Sequence, residues 1–335
     1  MLKPTLPTKA GALNAAPISS STAHTRTGRQ APLRGLIAAT YTPMRDDQSL
    51  AMEKIAPLME HLIASGVEGV FVCGSTGEGL SLTTEERLSL AEEAVAAVAG
   101  RIPVIVHVGH NSIGDARRLA AQAERLGVDA ISTIAPGFYK PSQSSELVDF
   151  MARISEAAPE TPLFYYHFPQ RVATGIELNA ILEQAAKRIP QLAGVKYTHN
   201  DFDELSSCRR QYNERYQFLF GRDELFLKSL QAGFHDFVGS TYNYALPIFT
   251  ALRTAFQQDN QEECIRLQRL VDELLALIID LPGFSGQKIL MNHSGFDCGP
   301  SRCPLPTVDP VLADNARHRF EAILSKVNPA NSLSL

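Results

Sequence analysis

The chain has 335 residues, of which 44% are hydrophobic, and its formal net charge is −5. This is enough apolar material for one large core or two ordinary ones, and the acidic balance excludes the basic surface typical of proteins that bind nucleic acids or anionic membranes. The apolar runs, such as residues 274–279, are too short to span a bilayer. The five cysteines are odd in number and scattered, which predicts reduced thiols and a cytoplasmic protein.

The first 34 residues differ from the rest of the chain. They contain five basic residues, many Ser, Thr and Ala, and no Asp or Glu. They lack the apolar segment of a secretory signal, and although their composition would suit an organelle transit peptide, the favoured interpretation is a disordered N-terminal extension. We therefore assign residues 1–34 to an extension that takes no part in the fold.

From residue 35 onwards, short β-rich apolar runs alternate with longer helical patterns. Eight strands are predicted, at residues 35–42, 69–74, 103–109, 130–135, 162–168, 192–198, 217–221 and 236–240. Their continuous apolar character is typical of strands buried on both faces. Eight βα units over roughly 220 residues predict an α/β fold of the (β/α)8 TIM-barrel type at residues 35–258. Residues 259–328 predict additional C-terminal helices packed on the barrel. A doubly wound open sheet is the alternative, although no dinucleotide fingerprint follows the first strand.

Lys196 is the most informative single residue. It stands in a short apolar run, residues 192–198, that predicts a buried strand. Desolvation lowers the pKa of a buried lysine and frees the lone pair that a Schiff-base nucleophile needs. On this segment alone, a lysine that is paired with an acid or extends its amine to solvent explains the pattern as well.

Other polar residues follow the ends of the predicted strands, where the active residues of such barrels lie. The second strand ends in Gly-Ser75-Thr76-Gly-Glu, which indicates either an anion-binding turn or an ordinary glycine-rich loop. Tyr166 ends the fifth strand and could relay a proton or simply pack in the core. The remaining candidates follow strands six to eight: Thr198, Gly221, Asp223, Glu224 and Ser240. Together these residues form the set that a class I aldolase requires.

The motifs in this order resemble the pyruvate-dependent aldolase family of N-acetylneuraminate lyase and dihydrodipicolinate synthase. The resemblance covers about residues 33–305 and rests on four segments: Gly74–Glu78, Tyr166-x-x-Pro169, Gly194–Lys196 and Gly239–Thr241. It is greatest to the sialic acid lyases of the family, through Gly221-x-Asp223-Glu224 and Lys196-x-Thr198. It implies a reversible cleavage of N-acetylneuraminate to N-acetylmannosamine and pyruvate by a homotetramer.

The resemblance also implies a role for each candidate residue. Lys196 would form the Schiff base, and Tyr166 would shuttle the proton. Ser75 and Thr76 would bind the pyruvate carboxylate. The sugar part of the substrate would be contacted by Thr198, Gly221, Asp223, Glu224 and Ser240.

Two alternatives stay open at this stage. Arg171 stands where the synthases of the family carry an arginine for a second carboxylate, so a synthase, or an aldolase for another 2-keto-3-deoxy sugar acid, is the nearest rival. Against a synthase, Phe138 aligns with the relay tyrosine that those enzymes take from a neighbouring subunit. A more distant alternative is a barrel that binds keto acids without turnover, for which the lysine would be unnecessary.

No cofactor and no metal are expected. His107 and His110 could suggest a metal pair, but no third ligand has suitable spacing. A Schiff base supplies the electron sink that the aldol cleavage needs. His167 is expected to face away from Tyr166 on its strand, and Lys288 has no expected role in the chemistry.

Overall fold

The computed structural model describes residues 33–327 as a closed barrel of eight parallel strands in the order of the chain. This confirms the predicted (β/α)8 barrel and excludes the open sheet. The strands are β1 (Gly35–Ala39), β2 (Gly69–Val72), β3 (Val104–His107), β4 (Ala130–Ile134), β5 (Leu163–His167), β6 (Leu192–Tyr197), β7 (Gln217–Phe220) and β8 (Asp236–Gly239). All eight lie where they were predicted, and each is one to three residues shorter because the last residues of each apolar run belong to the loop that follows.

A helix follows each strand and covers the outside of the barrel. These helices are α1 (Ile55–Ser65), α2 (Thr84–Val98), α3 (Ile113–Arg125), α4 (Ser144–Ser155), α5 (Leu178–Arg188), α6 (Phe202–Tyr212), α7 (Phe226–Gln231) and α8 (Leu246–Gln257). Helix α2 begins with a capping box: Thr83 accepts a hydrogen bond from the Glu86 backbone, while the Glu86 side chain accepts one from the Thr83 backbone. This reciprocal capping satisfies N–H groups that the first helical turn leaves unpaired.

The strands bury both of their faces, which explains their continuous apolar runs. In β1, Ile37 and Ala39 belong to the cluster that fills the barrel interior, whereas Leu36 and Ala38 pack outward beneath the helices. Successive side chains of a strand point to opposite faces, so one short run supplies both cores. The inner cluster fills the barrel, and a cavity opens at its carboxyl-terminal mouth.

Three further helices follow the eight βα units, as predicted: α9 (Gln261–Ile279), α10 (Gly283–His293) and α11 (Pro310–Ser325). Helix α9 buries one stripe, which includes Leu267, Leu270, Val271 and Leu274. Within residues 33–327, no helix combines the length and apolar character needed to cross a membrane.

The first described residues already contact the barrel. Leu33 is buried, and its backbone N–H donates to the Gln217 side chain at 3.2 Å. Arg34 pairs with Asp236 at the start of β8, at 3.3 Å. These two residues, assigned by sequence to the extension, thus belong to the folded part, and the rest of the predicted extension, residues 1–32, lies outside the described residues.

Candidate active site

One cavity of about 210 Å³ opens at the carboxyl-terminal end of the barrel. Its lining includes all nine residues that the sequence analysis selected: Ser75, Thr76, Tyr166, Lys196, Thr198, Gly221, Asp223, Glu224 and Ser240. They come from the ends of five strands, β2, β5, β6, β7 and β8, because the strands are parallel and their carboxyl ends meet at one mouth. The roles assigned to them above remain predictions.

Strand register explains why Tyr166 and Lys196 lie side by side. The two residues are directly paired between β5 and β6, so their side chains point to the same, inner face of the barrel. The Lys196 Nζ lies 4.0 Å from the centre of the Tyr166 ring and 4.1 Å from the centre of the Phe71 ring. The amine is therefore enclosed between two aromatic faces.

Burial changes the acidity of Lys196. The side chain is 4% exposed, and removal from water lowers the pKa of its amine to about 7, although the negative charge of Asp223 acts in the opposite direction. With that pKa about half of the amine is neutral at pH 7, whereas an ordinary lysine is neutral in roughly one molecule in 3,000. The site thus supplies a nucleophilic amine at neutral pH.

Tyr166 is buried in the same cavity. Burial raises the pKa of its hydroxyl to about 12, an effect that the neighbouring Ser75 and Thr198 hydroxyls partly offset. A phenol at this pKa keeps its proton at neutral pH and can exchange it with a group placed between it and Lys196. The geometry therefore permits the proton transfer that the sequence analysis predicted.

The turn that follows β2 has free backbone donors. It is closed by two hydrogen bonds, from Glu78 N to Ser75 O at 3.1 Å and from Gly79 N to the Gly74 carbonyl at 3.0 Å. Gly77 is required here because a Cβ would lie 2.8 Å from the Thr40 carbonyl oxygen. Within residues 33–327, the N–H groups of Ser75 and Thr76 donate no hydrogen bond. Two N–H groups and two hydroxyls that line a cavity are a suitable cradle for a carboxylate.

Asp223 also lines the cavity and follows β7. Its Oδ2 accepts a hydrogen bond from the Thr241 hydroxyl at 2.7 Å, while its Oδ1 is buried without a partner among the described residues. Gly239 makes room for this carboxylate, since a Cβ there would lie 2.8 Å from Oδ2. Burial raises the pKa of Asp223, and Glu224 beside it forms an ion pair with Arg222. One unpaired carboxylate oxygen therefore remains to accept a hydrogen bond from a ligand.

His107 and His167 are both buried, one inside the barrel and the other on its outer side. The ring of His107 packs edge-on against Tyr166, and both burial and the nearby Arg87 lower the pKa of its imidazole far below the ordinary value. His167 faces away from Tyr166, as predicted, and lies 3.5 Å from Glu204 on the outside of the barrel. Residues 33–327 contain no group of three or more His, Cys, Asp or Glu side chains arranged to hold a metal ion.

Sequence analysis missed the contribution of the C-terminal helices to the cavity. Four residues of α9 and α10 complete its lining: Leu275, Ile278, Phe284 and Gln287. They lie on amphipathic helical patterns about 80 residues or more after Lys196, and such a pattern identifies an apolar face without showing what the face covers. Arg171, by contrast, does not line the cavity and stacks over the Phe284 ring at 5.6 Å.

Comparison with known proteins identifies the family. The model of the dihydrodipicolinate synthetase family matches residues 32–327. The chain belongs to this family. It is 39% identical to N-acetylneuraminate lyase A of Xenopus laevis over 277 residues, which cover 82% of the chain and 90% of the relative. It is 34% identical to the human N-acetylneuraminate lyase over 296 residues, covering 87% and 92% of the two chains. Among solved structures, the N-acetylneuraminate lyase of Proteus mirabilis superposes with a TM-score of 0.84 at 35% identity, covering 87% of this chain and 98% of that one.

Proposed function

We propose that this protein is a class I aldolase that cleaves N-acetylneuraminate reversibly to N-acetylmannosamine and pyruvate. The observation that carries the proposal is the Lys196 amine, which is enclosed by Tyr166 and Phe71 and has a pKa of about 7. An amine of this kind is what Schiff-base formation requires and what simple binding of a keto acid does not. The sialic acid lyases among the relatives support the choice of substrate.

The reaction begins with binding of the keto acid. The substrate carboxylate accepts hydrogen bonds from the free N–H groups and hydroxyls of Ser75 and Thr76. The neutral Lys196 amine then attacks the keto carbon to give a carbinolamine. The Tyr166 hydroxyl donates its proton to the departing hydroxyl group, which leaves as water, and an iminium ion and the Tyr166 phenolate remain. The cationic iminium lies over the Tyr166 ring, where it lowers the cost of forming the phenolate.

Cleavage follows by proton transfer. Tyr166 takes the proton of the hydroxyl next to the scissile carbon–carbon bond, that bond breaks, and its electron pair moves into the iminium to give an enamine. N-acetylmannosamine leaves as the aldehyde in its open-chain form. The enamine takes back a proton at carbon, and water releases pyruvate and regenerates Lys196. Asp223, Glu224, Thr198 and Ser240 bind the hydroxyl-rich part of the substrate.

The second candidate function is that of a synthase or of an aldolase for another 2-keto-3-deoxy sugar acid. Arg171 is the residue that favours it, as a partner for a second carboxylate. Its guanidinium lies over the ring of Phe284, which lines the cavity, and its charge lowers the pKa of Tyr166, against the larger effect of burial. The unpaired Oδ1 of Asp223 instead favours a substrate that offers hydroxyl protons.

Pyruvate release decides between these functions. The purified protein is incubated with N-acetylneuraminate, and pyruvate is measured with lactate dehydrogenase. We expect steady release that stops when Lys196 is replaced by Met. A protein that forms a borohydride-stable adduct with pyruvate but releases none from N-acetylneuraminate would transfer the assignment to another substrate of the family.

We also infer a homotetramer that works in the cytoplasm. Family membership supports the assembly, and so do Phe138 and Tyr139, which pack edge-on at 4.9 Å yet are 77% and 85% exposed. Adjacent aromatic side chains with this exposure are typical of a surface that another protein covers. Light scattering after size-exclusion chromatography gives the mass of the assembly directly, and a monomer would contradict the inference.

A further inference from the structure

Gln287 is a cavity residue that does not belong to the barrel. It is carried by α10, and its Oε1 accepts hydrogen bonds from three hydroxyls: Ser240 at 3.0 Å and Tyr41 and Tyr244 at 3.4 Å each. Tyr41 and Tyr244 are buried, so each of their hydroxyls needs a partner inside the protein. Convergence of three donors on one oxygen directs the Nε2 group of the amide away from them.

The neighbouring residue fixes the helix that carries Gln287. Lys288 Nζ lies 3.1 Å from Glu78 Oε1 and donates to the Pro300 carbonyl at 2.6 Å. The side chains of Lys288 and Glu78 are both 1% exposed. Consecutive residues of α10 therefore contact two different parts of the site, since Glu78 ends the turn of Ser75 and Ser240 follows β8. A side chain held between two such anchors has little freedom to move.

We propose that Gln287 Nε2 donates a hydrogen bond to a hydroxyl oxygen of the sugar part of the substrate, and that Gln287 determines specificity for this part. Gln287 lines the cavity, and within the described part of the chain its Nε2 donates no hydrogen bond. An amide donor that faces a cavity gains most when a ligand supplies an acceptor. The proposal rests on the proposed function, which puts the carboxylate of the substrate on Ser75 and Thr76.

Asp223 supplies a complementary group in the same cavity. Its Oδ1 can only accept a hydrogen bond when it is ionised, and it has no partner in the described residues. Gln287 Nε2 can only donate. A hydroxyl group both donates and accepts, so a substrate that carries several hydroxyls can satisfy both groups. An aldehyde product without hydroxyls would leave a donor and an acceptor unpaired.

Two substitutions of Gln287 distinguish a direct contact of Nε2 with the substrate from an indirect effect through Ser240. Gln287→Glu keeps an acceptor for Ser240, Tyr41 and Tyr244 but removes the Nε2 donor, whereas Gln287→Met removes both. If Gln287 acts only by orienting Ser240, the Glu variant retains native kinetics and the Met variant does not. If Nε2 contacts the substrate, both variants show a KM for N-acetylneuraminate raised about tenfold or more, the size expected for one lost hydrogen bond. Gln261→Glu, the same change on the exposed start of α9, is the matched control and should leave KM unchanged.

Substrate analogues distinguish the contact from a general effect of the added negative charge. The native protein and Gln287→Glu are compared with N-acetylneuraminate and with analogues that each lack one hydroxyl of the sugar part. We expect one analogue to be impaired in the native protein and not impaired further by the substitution. An equal loss with every analogue, or no loss in Gln287→Glu, would overturn the proposal. If Gln287→Glu does not fold, Gln287→Met is compared across the same analogues in a Ser240→Ala background, where orientation of Ser240 plays no part, and decides by the same two criteria.

Trapping of pyruvate tests the proposed function independently of the role of Gln287. Borohydride reduction with pyruvate alone should label Lys196 at the native rate in Gln287→Met, since pyruvate lacks the sugar part and this substitution adds no charge to the cavity. A native protein that does not label with pyruvate would contradict the proposed function. A native protein that labels, together with variants whose KM is unchanged, would contradict only the role of Gln287.

Discussion

The side-chain nitrogen of Lys196 lies 4.0 Å from the centre of the Tyr166 ring, and the two residues are direct partners across β5 and β6. The amine and the phenol therefore keep a fixed relation that the barrel itself imposes, without help from a flexible loop. A carbonyl carbon bound to the amine comes within reach of the phenol. This relation is the structural basis of the proposed aldol chemistry.

The pKa of Lys196 predicts how adduct formation depends on pH. Only the neutral amine attacks a carbonyl, and its pKa is about 7. The measured quantity is the rate of adduct reduction by cyanoborohydride in the presence of pyruvate, corrected for the pH dependence of the reductant. This rate should rise about tenfold per pH unit below pH 7 and level off above it. A rate that continues to rise towards pH 10 would indicate an ordinary, solvated lysine.

Asp223 should affect the pH at which pyruvate trapping on Lys196 is half-maximal. Its negative charge favours the protonated form of Lys196 and thus raises the pKa of the amine, against the larger effect of burial. The substitution Asp223→Asn removes this charge, so the midpoint of the trapping profile should move to lower pH. It should also raise KM for N-acetylneuraminate, because an acceptor for substrate hydroxyls is lost. The exposed Asp314 provides the control, since Asp314→Asn should change neither quantity.

Tyr166→Phe should separate adduct formation from cleavage. The ring remains beside Lys196, so pyruvate should still be trapped, while turnover of N-acetylneuraminate should fall by about 100- to 10,000-fold, as expected when a proton-transfer group is lost. Tyr165 is the matched control: it is buried on the outer side of the same strand, and Tyr165→Phe should keep most of the turnover. Unimpaired cleavage by Tyr166→Phe would remove this residue from the mechanism.

The ion pair of Lys288 and Glu78 should matter for stability. Lys288→Met leaves the buried carboxylate of Glu78 without its cation, which should cost about 3–5 kcal/mol of unfolding free energy. The double variant Lys288→Met/Glu78→Gln should lose less, because no buried charge is left uncompensated. Lys54 and Asp297 form a partly exposed pair at 3.0 Å, so Lys54→Met should cost under about 1 kcal/mol. Urea unfolding measures all three, and equal losses in the single and double variants would refute a coupled pair.

The sequence predicted the barrel because its local patterns coincide with the fold. A strand buried on both faces is a continuous apolar run, and eight such runs alternate with helical patterns that carry caps such as Thr83. The nine selected residues lie at or just after the ends of these runs, and the closed parallel barrel brings those ends to one mouth. For the strands and the residues at their ends, the order along the chain is therefore sufficient to predict where each lies in the barrel.

The contributions of the C-terminal helices could not be predicted in this way. The structural role of Lys288 was not predicted, because its partner Glu78 is 210 residues earlier in the chain and no local pattern connects the two. Gln287 lies on an amphipathic helix whose packing across the barrel mouth depends on tertiary contacts. The position of Arg171 in the chain suggested a contact with a second carboxylate, and this role stays a prediction; its guanidinium lies over Phe284, a residue of the cavity lining.

Covalent trapping tests the central claim most directly. The protein is incubated with pyruvate, reduced with borohydride and mapped by mass spectrometry. We predict one adduct per chain, on Lys196. Lys288, the other fully buried lysine in the described residues, is held by Glu78 outside the cavity and should remain unlabelled. An unlabelled Lys196, or an adduct that persists elsewhere in a Lys196→Met variant, would contradict the account.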